Sequence, residues 1–183
     1  MNYADLAAQL DELFDSWLIH HGFTNYMRDY ELIVFQSADP RSGITPRHLR
    51  FLFRHCPEAS TRSAVPPAVW SDSMDDGLLQ QQHVTMQSAG YVWGVRCQEL
   101  YPGATIVENS EPARWWSKQV GVTFHEVEVS ANAHQIRLIF ADLQVEEVTA
   151  GYTPFTVGGS GIEEYATAAS DIPSVGDQPS PES

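Results

Sequence analysis

The side chains that could do chemistry in this 183-residue chain are seven histidines and two cysteines, so their spacing comes first. His20 and His21 are adjacent, which on a helix sets them roughly 100° apart and unable to chelate together. They read as the C-terminal turn of a helix, where a cation is stabilised. His125 and His134 fall on one face of two strands that alternate apolar and polar residues, HEVEVS and HQIRLIF. A tight turn at Ala131-Asn132 would pair Val129 with His134 and His125 with Leu138. The two imidazoles would then stand about two residue pairs apart, too far to share an ion without a third ligand. No HExxH and no Cys/His pairing at zinc spacing occurs, so neither a metal nor a cofactor is expected.

A cysteine nucleophile needs a base within reach. His55 and Cys56 are neighbours on a predicted strand and point to opposite faces, so they cannot act together. Cys56 and Cys97 lie in the apolar surroundings FLFRHC and YVWGVRC and read as free buried thiols. The glycine-rich GGSG at 158–161 has neither strand nor helix around it and reads as a linker rather than a phosphate loop. With no complete catalytic motif, whether the chain is an enzyme stays open, leaning towards not. Two sets of side chains remain as candidates. His55, His125 and His134, closed by Arg50 or Arg54, could line a small-ligand pocket. Trp115 beside Arg114 could anchor an interface, because Trp116 takes the inward position and turns Trp115 away.

These side chains need elements to position them. Apolar residues at three- and four-residue spacing from Tyr3 to Leu18 predict an amphipathic helix over 3–20, ended at Gly22. The run DYELIVFQ predicts a strand at 29–36, and HLRFLFRHCPEASTRSAV continues in extended form, with Leu49, Phe51, Phe53 and His55 on one face. Pro57 points to an edge or a bulge. The segment around Trp70 reads as a short helix or loop. YVWGVRCQ and ATIVEN predict further strands. Ser110 as N-cap, Pro112 in the first turn and Gly121 as terminator predict a second helix. The hairpin over 124–148, with a bend near Asp142, is the centre of the sheet. The fold class is α+β: an antiparallel sheet of five to six strands packed against the N-terminal helix and a second short helix. Residues 1–157 form the single domain, and 158–183, acidic and rich in Gly, Ser and Pro, a disordered tail.

Charge constrains the partners. There are 24 acidic side chains against 10 basic ones, a formal net charge of −14. That balance opposes phosphate backbones and anionic membrane surfaces, and it permits a basic protein partner. No apolar run reaches the length of roughly 20 residues that spans a bilayer. The N-terminus carries acids where a signal peptide carries bases, so a cytoplasmic protein is expected. The oligomeric state cannot be read.

The segments HGFTNYMRDYELIV, LRFLFRHCPEA, GYVWGV, LYPGATIVENSEPARWW and FHEVEVSANAHQIRLIFADLQV, in that order over residues 10–157, resemble the YxiG-like family of small bacterial proteins, common in actinomycetes. The resemblance implies no catalytic residues. The gene behind the family name lies near a contact-dependent toxin locus in another bacterium, and by that resemblance binding of the immunity type is implied. The function expected is therefore a noncatalytic protein-binding module, immunity- or antitoxin-like, meeting its partner through an acidic surface that contains aromatics. The alternative is a small-ligand binder or enzyme with the histidine-lined pocket.

Overall fold

The computed structural model of the chain describes residues 2–37, 45–67, 70, 98–149 and 151–152. All the elements below lie within one compact unit, residues 1–150. In chain order they are α1 (Tyr3–Asp11), β1 (Trp17–Thr24), β2 (Asp29–Gln36), β3 (Arg47–Arg54), β4 (Glu58–Ser63), β5 (Gln98–Glu99), β6 (Gly103–Ile106), α2 (Glu111–Val120), β7 (His125–Ser130), β8 (His134–Phe140) and β9 (Asp142–Val148). The class is α+β. The strands divide between two antiparallel sheets, one ordered β5-β1-β2-β3-β9 and the other β4-β8-β7-β6.

Alternation along the strands builds the core. Leu32 and Val34 of β2, Leu49, Phe51 and Phe53 of β3, and Leu143 of β9 point inward from the first sheet. Val127 and Val129 of β7 and Ile136, Leu138 and Phe140 of β8 meet them from the second. Phe53 and Phe140 touch edge to face, with centroids 4.9 Å apart. Helix α1 adds Leu6 and Leu10, followed by Leu13, to this same cluster. Helix α2 lies on the opposite face of the second sheet, where Ala113 and Trp116 pack on Phe124, Ile139 and Ala141.

Two bent ribbons join the sheets. β3 continues into β4 through His55–Pro57, and β8 into β9 through Ala141. β3 pairs with β9 in one sheet while β4 pairs with β8 in the other. At the bend, His55, Cys56 and Pro57 stand opposite Phe140 and Ala141, with the Ala141 amide donating to the Arg54 carbonyl at 3.1 Å. His55 is in the left-handed region at φ 50°. That turn changes the alternation: His55 does not follow Phe53 inward, and Cys56 is buried instead. The extended segment expected over 48–65 is thus two strands in two sheets.

The helix expected over 3–20 is corrected. It ends at Asp11, and Trp17–Thr24 is a strand paired with β2 along its length. Leu13, Trp17 and Leu18 fit a helical stripe, but pairing with β2 from Trp17 to Thr24, with a register shift between Leu18 and His20, makes this segment a strand whose Leu18 faces the core and whose Trp17 faces solvent. His20 and His21 accordingly sit in β1 and not in a helical C-terminal turn. Gly22 is mid-strand opposite Glu31 and does not cap a helix. The register of β7 and β8 is also corrected, because Val129 faces Ile136 and His125 faces Phe140. The turn spans Ala131–Ala133, closed by the Ala131 amide on the His134 carbonyl at 2.8 Å. Helix α2 follows its signals: Ser110 accepts from the Ala113 amide at 3.0 Å, and Gly121 closes it at φ 77°. Of the expected YVWGVRCQ strand, only Gln98 lies within the described residues. Cys97, Trp93, the 71–97 segment and the 158–183 tail lie outside them.

Candidate functional site

The sequence-derived pocket residues sit in separate settings. His134, at the start of β8, bonds through Nδ1 to Gln98 Oε1 at 2.9 Å and lies 6.1 Å, ring to ring, from His21 of β1. His21 Nδ1 is paired with the Tyr30 hydroxyl at 2.6 Å. Burial first, then the charges of His134 and His20, hold the His21 pKa below the usual histidine range. His125 is at the far end of β7, with its ring 6.1 Å from that of Phe140, and burial lowers its pKa too. His55 is exposed at the bend. Arg50 joins Glu31 at 2.7 Å and Glu146 at 2.8 Å across the outer face of the first sheet. Arg54 faces Asp142 at 3.6 Å. Each arginine has a carboxylate across the strand pair, so their geometry is that of sheet cross-links. Burial pushes the Cys56 thiol up to about 12, which leaves it a thiol rather than a nucleophile. Among the described residues no three His, Cys, Asp or Glu side chains stand where they could share a metal ion.

One buried polar centre escaped the sequence reading. Glu126 alternates outward on β7, yet its carboxylate is fully buried because α2 covers that face. Ser110, already the N-cap of α2, donates its hydroxyl to Glu126 Oε2, and Arg137 Nε donates to Oε1. A carboxylate at a helix N-terminus with both oxygens engaged is electrostatically satisfied. The capping signal at Ser110 was legible; its second partner was not. A cleft of about 470 Å³ opens beside this centre, its polar lining including Tyr3, Asn109, Ser110, Arg114, His125 and Glu126. Of the sequence-derived residues it brings His125 and Arg114 together.

The second feature is a corner of the surface. After α1 the chain turns through Phe14 and Asp15 and runs alongside residues 99–103. The Asp15 amide donates to the Leu100 carbonyl at 3.1 Å, and the Leu100 amide to the Ser16 carbonyl at 2.8 Å. Leu100 is the buried anchor. Trp17 pairs with Glu99. Gly103, at φ +90°, lies so close to Phe14 that a Cβ there would come within 3.3 Å of the Phe14 Cα. The outcome is an apolar surface held by backbone: Phe14 and Tyr101 touch at 5.8 Å and are 52% and 60% exposed, and Trp17 is 43% exposed. Asp15, next to Phe14 in the chain, and Glu99, paired with Trp17, are exposed beside it. Phe14 read as part of a helical stripe, so this pairing with Tyr101 had no signal in the sequence. Trp115, 54% exposed, forms with Trp116 an edge-to-face pair at 4.9 Å, and Trp116 is tied by Nε1 to Glu58 at 2.6 Å.

Charge is unevenly compensated. Arg28, Arg47, Arg50, Arg54 and Arg137 are each paired to a carboxylate. Arg62 bonds Gln135. Arg114 and Lys118 of α2 are the other basic side chains among the described residues. Against them, Asp5, Asp11, Asp15, Glu99, Glu108, Glu111 and Glu147 are exposed and form no ion pair among the described residues. No helix among the described residues is long and apolar enough to cross a membrane.

Fold and surface together define a small α+β protein in which two antiparallel sheets enclose one core, with acidic and aromatic groups facing solvent. The chain belongs to the YxiG-like family, whose model, described as YxiG-like protein, matches residues 2–158. No curated protein matches it.

Proposed function

We propose that this protein is a noncatalytic binding module of the cytoplasm, immunity- or antitoxin-like, that engages a basic protein partner through its acidic surface. The observation that carries this reading is the uneven compensation of charge. The arginines of the two sheets are tied up in cross-strand and turn pairs, whereas exposed carboxylates of α1, β5 and the 107–111 segment have no cationic partner among the described residues. Such a surface raises the rate at which a positively charged protein arrives, and it rejects phosphate backbones. The exposed aromatics supply the contact area that charge alone lacks.

The test is an affinity capture from cell lysate with the full chain as bait, at low and at high salt. One stoichiometric basic partner, retained at low salt and released at high salt, is the expected result. A partner of neutral or acidic character, held equally at both salt concentrations, would overturn the reading.

A second reading is favoured by one observation, the cleft that joins His125, Arg114 and Asn109 beside Glu126. A small ligand there would raise the melting temperature in a metabolite screen, and His125→Ala would remove that shift.

A further inference from the structure

We infer that the corner built from residues 14–17 and 99–101 is the docking site for an arginine side chain on a basic protein partner, its guanidinium stacked on the Phe14–Tyr101 pair within a rim of carboxylates. The inference deepens the acidic-surface reading above and rests on it.

Three observations converge at the corner. The first is chemical. Two aromatic rings with centroids 5.8 Å apart, each more than half exposed, are flanked in the chain by Asp15, next to Phe14, and by Glu99, two residues before Tyr101 and paired with Trp17. Aromatic faces attract cations, and carboxylates accept their hydrogens. Guanidinium suits this combination better than ammonium, because it is planar, weakly hydrated and able to stack while its edge donates. A purely apolar occupant would strip water from Asp15 and Glu99 without replacing those hydrogen bonds, at a cost. The second observation is the charge of the surroundings. Among the described residues, the basic side chain bonded into this turn is Arg47, and it is held by Glu12 at 3.0 Å and Gln36 at 2.8 Å. The third is rigidity. Asp15 is held in the left-handed region at φ 58°, its amide fixed to Leu100, and the Asn132 amide grips the Glu99 carbonyl at 3.1 Å. Gly103, at φ +90°, packs tightly against the Phe14 backbone. Aromatic groups fixed before the partner arrives lose little freedom on binding.

The experiment is fluorescence anisotropy of the full chain with two labelled peptides of equal length and charge, polyarginine and polylysine, at low salt. Three proteins are compared: the wild type, Phe14→Ala/Tyr101→Ala, and Asp15→Asn/Glu99→Gln. Asparagine tolerates the left-handed conformation, so the third protein keeps the backbone of the corner. The wild type should prefer arginine by about tenfold, in line with a cation–π contribution near 1.4 kcal/mol. Both variants should lose that preference while still binding polylysine and melting as the wild type does. Equal binding of the two peptides, unchanged by either variant, would overturn the corner and leave the acidic-surface reading standing. Failure of the wild type to bind either peptide would overturn both.

Discussion

Replacing Asp29 tests how the tip of the β1–β2 hairpin is held. Its carboxylate is fully buried and accepts from four donors. They are Arg28 Nε at 3.1 Å and the Arg28 guanidinium terminus at 2.8 Å, Asn25 Nδ2 at 2.8 Å and the His55 amide at 2.8 Å. Burial is the largest influence on this group and by itself would raise the pKa. The hydrogen bonds from Arg28, Asn25 and His55, with the Arg28 charge, together outweigh it and bring the value from 3.8 down to about 2. A folded-state pKa below the unfolded one means stability that is present above about pH 4 and lost as pH falls towards 2. Each unit corresponds to about 1.4 kcal/mol, a ceiling of about 2.5 kcal/mol. The guanidinium of Arg28 is more than half exposed, so water screens the pair and about 1–2 kcal/mol is the sounder figure. Asp29→Asn removes the charge and turns an amide NH2 towards donors, costing about 1–3 kcal/mol at pH 7. Urea unfolding of both proteins from pH 7 to pH 2 gives the difference directly. The gap should be open at pH 7 and close between pH 4 and 2. A gap that stays constant over that range, or is absent at pH 7, would refute the account of Asp29 as an ionised clamp.

Other outcomes follow from the same physical accounting. Ser110→Ala removes the N-cap of α2 and one partner of buried Glu126, and should cost about 1–2 kcal/mol in denaturant unfolding; a loss below about 0.5 kcal/mol would contradict the double role. The His21 pKa is lowered by burial, so protonation favours the unfolded chain and stability should fall as pH drops below about 6.5. Histidine NMR should place the His21 midpoint under the usual histidine value of 6.5, and His21→Gln should remove that part of the acid loss. Asn25, Tyr26 and Met27 are all left-handed, at φ 51°, 61° and 66°, and Met27 is 69% exposed. Met27→Gly should therefore raise stability by about 0.5–1 kcal/mol, read as an increase in melting temperature.

Local chemistry was legible in the sequence where a single residue type settles it. Ser110, Pro112 and Gly121 mark α2 because a cap oxygen, a fixed φ and a left-handed terminator are each needed at one position. The inward face of β7 and β8 followed from Val127, Val129, Ile136 and Leu138. What alternation cannot carry is which sheet a strand joins, since Phe51 and Leu143 look the same whichever partner they meet. The helical reading of Trp17–Leu18 failed for a related reason, as the deciding bonds come from β2. Glu126 and Glu128 looked like a solvent face until α2 covered the first of them. The Phe14–Tyr101 corner depends on contact between segments far apart in the chain, and no local pattern reports it.

The paired bent ribbons also bear on how this chain reaches its native state. Hairpins β1–β2 and β7–β8 close over short loops and can form early. The ribbons instead bring Arg54 to Asp142 and Glu58 to Ile139 across 88 and 81 residues of chain. Both sheets are incomplete until that meeting occurs, so loop-closure entropy is met late and in one step. The high contact order this imposes places folding in the millisecond-to-second regime of β-rich topologies, with ribbon association as the barrier.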